Sequence, residues 1–374
     1  MRDRNNYSSN KKRREGRKFV SGKGEEFTKE ESEWSSYLEK GGYFTARVVE
    51  VQKGFAFVAV EPQNGEIETG NLWLATLARK YLQAVREERN FIVVGDRVLC
   101  LKSDRKVGQE DPLPQCSIEF RAPRSSKISR LDPMRNEREH VLAANLTQMV
   151  IIASFLSPKI KWGLIDRFLV LAEEQEVKTL IILNKKDLLK EASKEFQEET
   201  DEMITLYRNL GYKVYVTQAD SGVLDKEIQK SFDGEISLVA GHSGVGKSSV
   251  VNLMHPEIIQ DVETEEVLSK GRHTTTYASF LKLGTGGFVI DSPGIRSFII
   301  KEYDPIQLSW CFVDIRPYIG KCKFRECRHL DEPACAVQKA VENGEISEWR
   351  YKSYIAILTG ASGREGRVSI SWEE

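Results

Sequence analysis

The sequence predicts a multidomain α/β chain. A small N-terminal β-barrel of OB type comes first, then a parallel sheet with helices on both faces, then a small, mostly helical metal-binding region. Three observations predict this. Short β-type runs separated by turn residues fill the early part of the chain. Unbroken apolar runs alternate with amphipathic helical stretches in the middle. Three cysteines and a histidine crowd into "CKFRECRHLDEPAC" near the end.

The chain has 374 residues, room for two or three domains of ordinary size. Hydrophobic residues make up 40% and charged residues 30%, the balance of a soluble globular protein. Lys plus Arg (55) nearly equal Asp plus Glu (56), so the net charge is −1. That excludes a protein that binds polyanions over its whole surface, and any nucleic-acid contact has to come from local patches. The opening "MRDRNNYSSNKKRREGRK" is one such patch. It is expected to be unstructured, either as a solubilising arm or as one that neutralises RNA phosphates. It lacks the apolar core of a secretory signal, and no apolar run reaches the ~18 residues of a membrane span. The expectation is a cytoplasmic monomer without membrane contact. Six cysteines in that compartment argue against a disulfide framework.

From Phe44 the runs "FTARVVEV", "FAFVAV" and "FIVVGDRVLCLK" are separated by turn signals such as "PQNGEIETG". A small antiparallel barrel of the OB kind fits, with Cys100 and Cys116 buried in it. After "APRSSKISR" the texture changes. "MVIIASF" and "TLIILN" are continuous apolar runs typical of parallel strands buried on both faces. Between them Leu164, Phe168, Leu169 and Leu171 recur at helical spacing, with a charged opposite side. "EISLVAG" and "GFVIDSPG" supply two more buried strands. The expected boundaries are a tail at 1–41, the barrel at 42–122, the α/β domain at 123–300, the metal-binding domain at 301–358 and a tail at 359–374.

"GHSGVGKSS" satisfies the phosphate-loop pattern GxxxxGK[ST], following an apolar strand and leading into a helical stretch. Its candidate residues are Gly241, His242, Ser243, Gly244, Val245, Gly246, Lys247, Ser248 and Ser249. The glycines allow a tight bend with no Cβ in the way, and the backbone N–H groups then face the anion. Lys247 supplies charge to the β and γ oxygens, and the Ser248 hydroxyl ligates Mg²⁺. "VIDSPG" ends a strand in Asp291, placed to hold Mg²⁺ through water, with the N–H of Gly294 placed to sense the γ-phosphate. "GRHTTT" can bring a threonine hydroxyl to the same ion. The sequence leaves open which of Thr274, Thr275 and Thr276 does so; Thr275 is the assignment adopted here.

"LIILNKKDLLKE" carries NKxD as Asn184, Lys185, Lys186 and Asp187. An aspartate accepts two parallel hydrogen bonds from guanine N1–H and the exocyclic amine. Adenine offers neither donor there, so its binding would leave the carboxylate unpaired. Asn184 braces the site and the Lys185 stem covers one ring face. "YVTQADSG" adds a base-contacting loop with Thr217 and Gln218. The elements are those of a GTP site, but their order is NKxD, base loop, phosphate loop, threonine loop, DxxG. Rotating that list restores the ordinary order, so the domain is expected to be circularly permuted, which is tolerated when native termini lie close together.

A barrel, a GTPase domain permuted in this order and a Cys/His cluster together resemble the RsgA (YjeQ) family of small-ribosomal-subunit biogenesis GTPases. "AANLTQMVII", "LIDRFLVLAEE", "GRHTTT" and "DSPGIRSF" carry the resemblance, which spans roughly residues 42–345. It implies a cytoplasmic enzyme that binds the 30S subunit and 16S rRNA late in maturation. It further implies GTP turnover to GDP that the subunit stimulates and that is coupled to release. It implies as well that His273 takes the part of the missing glutamine, since Ile295 follows DxxG and cannot orient water.

Cys322, Cys327, His329 and Cys335 make a three-thiolate, one-imidazole set, a common closed tetrahedral shell for structural zinc. The C-x₄-C-x-H-x₅-C spacing departs from ordinary fingers, but the family resemblance carries it at all four positions. Lys321, Lys323, Arg325 and Arg328 interleave the cluster and suit RNA phosphates. Cys311 falls outside the pattern. Two other readings stand beside the enzyme. One is a nucleotide-gated RNA-binding module with negligible hydrolysis. The other is a P-loop kinase or ATPase acting on a small molecule, which NKxD disfavours.

Overall fold

The structure, a computed structural model, describes residues 28–52, 54–62, 67–78, 91–103, 113–132, 138–254, 279–291 and 303–360, with the backbone alone at 69, 130–132, 138–140, 279 and 291. The basic arm and the C-terminal stretch lie outside the described residues. The chain forms two compact units. One comprises residues up to Val48, Lys53–Ile92 and Arg97–Pro123; the other takes Val49–Gln52, Val93–Asp96 and everything from Arg124 onward.

The first unit is built on five strands: β1 (Tyr43–Gln52), β2 (Phe55–Val60), β3 (Glu68–Leu77), β4 (Arg97–Ser103) and β5 (Gln115–Arg121). Their order is β1-β2-β3-β5-β4, and β4 pairs back onto β1 from Tyr43↔Leu101 to Arg47↔Arg97, which closes the barrel. Closure removes the sheet edges that would otherwise invite pairing with other chains. One pair departs from the antiparallel expectation, because β3 and β5 run parallel. After β3 the chain crosses to close the barrel with β4, so β5 has to enter the remaining gap in the direction of β3. β5 alternates buried and half-buried residues, whereas β1 and β2 each bury four in succession. Inside, Glu61 accepts from Arg47 at 2.6 and 2.9 Å, so the buried carboxylate is paired. Cys100 and Cys116 are buried, as expected. Trp34, just before the short helix α1 (Ser35–Leu38), packs against Leu99 and Phe120.

In the second unit a hairpin, β6 (Lys127–Asp132) and β7 (Arg138–Ala144), leads into β8 (Gln148–Ser154). Then follow α2 (Trp162–Glu174), β9 (Lys178–Asn184), α3 (Lys186–Leu189), α4 (Lys194–Asn209), β10 (Lys213–Val216), α5 (Lys226–Lys230), β11 (Ile236–Ala240), α6 (Lys247–Leu253), β12 (Ser279–Lys282) and β13 (Phe288–Asp291). The strands lie in the order β10-β9-β8-β11-β13-β12, parallel except for β12. β11 is central, between β8, which precedes it in the chain, and β13, which follows it. That reversal of direction is where open α/β sheets bind ligands, beyond the C-terminal strand ends.

The C-terminal region adds α7 (Pro305–Cys311), α8 (Ala336–Glu342) and α9 (Glu348–Leu358). Asp304 starts α7 by accepting from the backbone N–H of Ile306 (3.1 Å) and Gln307 (3.3 Å), with Pro305 at the first helical position. This region settles on α2, and there the structure differs from the sequence reading. The sequence reads the side of α2 opposite its apolar face simply as charged. Instead Asp166, Val170, Glu173 and Glu174, spaced as one helical face, meet the C-terminal region. Val170 joins Leu308, Phe312, Ile315, Tyr354 and Ile357 in one core. Glu173 pairs with Arg316 at 2.7 Å, and Tyr303 donates to Glu174 at 3.5 Å.

At the centre of this contact Arg350, 1% exposed, donates to Asp166, which is fully buried. The same guanidinium donates to both Asp314 oxygens at 3.1 and 3.0 Å and lies 4.4 Å from the Phe312 ring centre. Tyr207, from α4, donates to Asp166 at 2.8 Å. Burial opposes the charge on Arg350, but Asp166 and Asp314 more than offset it and hold its pKa well above the usual value. Burial, reinforced by Asp166, pushes the Tyr207 hydroxyl up as well. Truncation here should be costly because it strands buried carboxylates. Arg350→Met is expected to lower stability by about 3–5 kcal/mol in denaturant unfolding, and replacing Arg350, Asp166 and Asp314 together by apolar residues should recover most of that loss.

Candidate nucleotide site and metal centre

Four loops gather at the C-terminal strand ends. β11 ends at Ala240, and the phosphate-loop segment 241–246 leads into α6. Two glycines there are required by close approach. Gly241 has φ +146, and a Cβ on it would sit 2.1 Å from the carbonyl oxygen of Ile152 in β8. Gly246 has φ +93, and a Cβ on it would sit 2.2 Å from the Asn184 Nδ2. Lys247 folds over the loop, donating to the carbonyls of Gly241 (2.9 Å) and His242 (2.7 Å). Val245 is buried, while His242, Ser243, Gly244 and Ser248 are exposed and Gly246, Lys247 and Ser249 half-buried.

β9 ends in Asn184, a nearly fully buried carboxamide whose two ends are both in use. Its Nδ2 donates to the carbonyl of Val245 at 3.0 Å, inside the phosphate loop. Its Oδ1 accepts from the backbone N–H of Ala219 at 2.9 Å, in the loop after β10. Three segments far apart in sequence are thereby tied at one point. Lys185 adopts a left-handed conformation (φ +62) that turns the chain from β9 into α3, and its ammonium donates to the Ser157 carbonyl at 2.6 Å. Lys186 is exposed, and its N–H donates to the Thr217 carbonyl at 3.1 Å. Asp187, in the first turn of α3, is half-buried, and among the described residues its carboxylate has no hydrogen bond or ion pair. Thr217 is buried with its N–H on the Leu183 carbonyl (2.9 Å), and Gln218 is exposed beside it.

The structure thus brings the NKxD segment, the base loop and the phosphate loop together. The backbone of Asp291 ends β13 beside β11, on the phosphate-loop side of the sheet. His273, Thr274, Thr275, Thr276, Gly294 and Ile295 lie outside the described residues. Sequence reasoning missed two participants. The N–H of Ala219 is invisible in any motif because it is backbone. The segment 155–161 carries no pattern, yet it borders the phosphate loop, with Ser154 Oγ donating to the Pro158 carbonyl at 2.8 Å and Gly244 facing Pro158. That segment runs directly into α2, the helix holding the C-terminal region.

The second centre is Cys322, Cys327, His329 and Cys335, whose ligand atoms all lie within 4.8 Å of one another. His329 Nδ1 is 3.6 Å from Cys322 Sγ and 3.5 Å from Cys335 Sγ, and the two sulfurs are 3.9 Å apart. A tetrahedron with metal–sulfur bonds of about 2.3 Å and metal–nitrogen bonds of about 2.0–2.1 Å has edges of about 3.5–3.8 Å, so the donors fit a metal ion. Local backbone shapes the set: His329 and Ala334 adopt left-handed conformations, and the Ala336 N–H donates to Cys322 Sγ at 3.3 Å. Tyr351 and Tyr354 donate to the carbonyls of His329 (2.7 Å) and Arg328 (2.9 Å), fixing the cluster to α9. Burial pushes the Cys327 thiol up to about 12 and raises Cys335, so without a cation these ligands would hold their protons. Cys311 is buried in the same core outside the ligand set.

The RsgA GTPase family model matches residues 121–301. A small ribosomal subunit biogenesis GTPase RsgA 1 from Vibrio vulnificus (strain YJ016) is 38% identical over 268 residues, which is 71% of this chain and 73% of that protein. The corresponding Photorhabdus laumondii protein, RsgA, is 38% identical over 277 residues, 73% of this chain and 77% of its own. Among solved structures, YloQ, described as a circularly permuted GTPase, superposes with a TM-score of 0.64 at 27% identity, covering 88% of this chain and 98% of its own. YjeQ from Thermotoga maritima gives a TM-score of 0.64 at 30% identity over 86% and 100%.

The double contact of Asn184 yields a direct test. Asn184→Ala leaves the Val245 carbonyl and the Ala219 N–H buried without partners, and is expected to weaken GTP and GDP alike by about 10- to 100-fold in a calorimetric titration. Asn184→Asp keeps the acceptor for Ala219 but sets a carboxylate against the Val245 carbonyl, so it should not restore affinity.

Proposed function

The chain belongs to the RsgA GTPase family, and on that premise we propose that it hydrolyses GTP while bound to the small ribosomal subunit, as a factor in late maturation whose turnover the subunit stimulates. The observation that carries this reading is the Asn184 bridge, which ties three elements of the permuted guanine-nucleotide site together. In this reading Asp187 accepts from guanine N1–H and the exocyclic amine, with its unpartnered carboxylate ready for both. Lys185 leaves the Ser157 carbonyl to cover the base, and Thr217 and Gln218 flank it. The N–H groups of 242–248 cradle the phosphates, and Lys247 exchanges the Gly241 and His242 carbonyls for the β and γ oxygens. Ser248, Thr275 and Asp291 are the proposed Mg²⁺ side, and the Gly294 N–H senses the γ-phosphate. Mg²⁺ supplies charge neutralisation at the β and γ oxygens when bound.

Ile295 offers no hydrogen bond to the attacking water, so intrinsic turnover should be slow. His273 is proposed to position that water once the subunit is bound. The Cys₃His centre is proposed to hold one structural zinc that fixes the C-terminal region as an RNA-contacting module. The working domain boundaries remain 42–122, 123–300 and 301–358, the cellular site the cytoplasm, and the acting species a monomer. 16S rRNA is the proposed contact of the barrel and the zinc module.

The chain order suggests how the nucleotide state reaches the module. DxxG is followed directly by the segment leading to α7, and 155–161 leads from the phosphate loop into α2, on which Arg350 and Val170 seat the module. Loss of the γ-phosphate is proposed to relax the first connection and weaken the module's hold on RNA.

The test is GTP turnover by the purified chain with and without 30S subunits, with zinc quantified on the same sample. Stimulation, one zinc per chain and tighter subunit binding with a non-hydrolysable GTP analogue than with GDP are expected. His273→Ala should lower the stimulated rate by about 100-fold or more with nucleotide affinity unchanged. Unstimulated turnover would reduce the chain to a nucleotide-gated binding module, and equal affinities in the two nucleotide states would remove the coupling.

A further inference from the structure

Among the described residues the large hydrophobic side chains left exposed are Val223, Ile306 and Phe324, and Phe324, 45% exposed, is the aromatic one. It stands in "CKFREC", between two metal ligands. The turn is fixed at both ends. Cys322 and Cys327 belong to the cluster, the Lys323 N–H donates to the Ala334 carbonyl at 3.4 Å, and the Cys327 N–H returns to the Phe324 carbonyl at 3.4 Å. Phe324 therefore belongs to a rigid knuckle, yet it takes no part in the hydrophobic core around the cluster. An aromatic ring held out by a metal-pinned turn contributes nothing to that core and exposes apolar area to water.

Its surroundings are as unmatched as the ring. Lys321, Lys323, Arg325 and Arg328 are all exposed; Glu326 is the carboxylate interleaved with them, and Asp331 and Glu332 follow. Among the described residues the ion pairs of the region use Arg316, Arg350 and Lys352, and none of these four. The Glu332 carboxylate turns back to accept from the backbone N–H groups of Arg328 (2.7 Å) and Leu330 (2.8 Å) and forms no ion pair with these four side chains among the described residues. Lys323 Nζ lies over the Phe324 ring, 5.7 Å from its centre, so one face already meets a cation and the other is open to a ligand. The protein as a whole has a net charge of only −1, so this concentration of positive charge is local.

An exposed aromatic ring among cations that form no ion pair among the described residues matches one kind of chemistry, a flat base flanked by phosphates. A protein segment that was both apolar and acidic would satisfy the charges but has no need of an aromatic ring. Duplex RNA would satisfy the charges but keeps its base faces stacked inside. We propose that the Cys322–Cys327 knuckle captures an unpaired RNA nucleotide, with Phe324 stacking on the base and Lys323 and Arg325 holding the adjoining phosphates. This rests on the reading of the chain as a ribosomal-subunit factor and specifies what its zinc module recognises.

The experiment uses the full zinc-loaded chain and a labelled single-stranded oligoribonucleotide of mixed sequence, with the same sequence as a duplex for comparison. Phe324→Ala and Phe324→Leu should each bind the single strand about 5- to 100-fold more weakly, while Phe324→Trp, which keeps a π-face, should stay within about 3-fold of the unaltered chain. Duplex affinity should change little in all three. Lys323→Ala with Arg325→Ala should reduce the slope of log K against log salt by about 1.4 for the single strand. Zinc content and unstimulated GTP turnover should be unchanged throughout. Single-strand affinity that survives Phe324→Ala, full activity of Phe324→Leu, or no measurable binding by the unaltered chain would each overturn the proposal. So would lost 30S binding with oligonucleotide affinity intact, which would assign the patch to a ribosomal protein. The 30S-stimulated turnover of the unaltered chain is measured in parallel. Its absence counts against the functional reading itself, whereas stimulation together with an inert Phe324 counts against the knuckle alone.

Discussion

The carboxamide of Asn184 is the contact that holds the loops of the proposed nucleotide site together. A side chain with one donor end and one acceptor end joins the phosphate loop, through the Val245 carbonyl, to the base loop, through the Ala219 N–H. No other residue type of this size offers both functions at opposite ends of a planar group. Because Asn184 also terminates β9, the position of Asp187 three residues on is set by the same strand that braces the phosphate loop. The site needs no particular order of segments along the chain, only that these strand ends lie side by side. That is why a permuted chain can build it.

Permutation changes what the site is attached to. In this order the sheet's last strand leads toward the C-terminal region, and that region is seated on α2 by Val170 and by Arg350 between Asp166 and Asp314. Apolar residues of the same volume would seat it as firmly, since burying a guanidinium with two carboxylates carries a large desolvation cost. What the charged joint adds is specificity. Arg350 is satisfied in one docking position, where two aspartates and the Phe312 ring converge. The segment 155–161 carries that helix to the edge of the phosphate loop, so the C-terminal region and the phosphate loop are linked through one helix.

Much of this was legible in the sequence, and the reasons are specific. The convergence of the phosphate loop and NKxD was legible because their motif residues sit at strand ends, and glycines at 241 and 246 answer close approaches that no other residue allows. The Cys₃His set was legible because three thiols and an imidazole within fourteen residues are a donor set suited to a metal ion, and the structure brings their donor atoms within 4.8 Å of one another. The parallel strands were legible from continuous apolar runs. What escaped were relations between distant residues. Asp166 reads as part of the charged side of a helix and nothing more, because its partner Arg350 lies 184 residues away. The parallel β3–β5 pair escaped because alternation along a strand carries no information about the direction of its neighbour. Backbone groups such as the Ala219 N–H leave no trace in side-chain patterns at all.

The central claim is that Asp187 reads the guanine edge in a pocket assembled from permuted segments. It is tested most directly by swapping hydrogen-bond polarity on both sides of the contact. Xanthine replaces the exocyclic amine of guanine with a carbonyl, so Asp187→Asn, which presents a donor, should bind XTP in preference to GTP, while the unaltered chain should prefer GTP by a wide margin in a competition titration. An Asp187→Asn chain that kept the same preference for GTP would contradict the account.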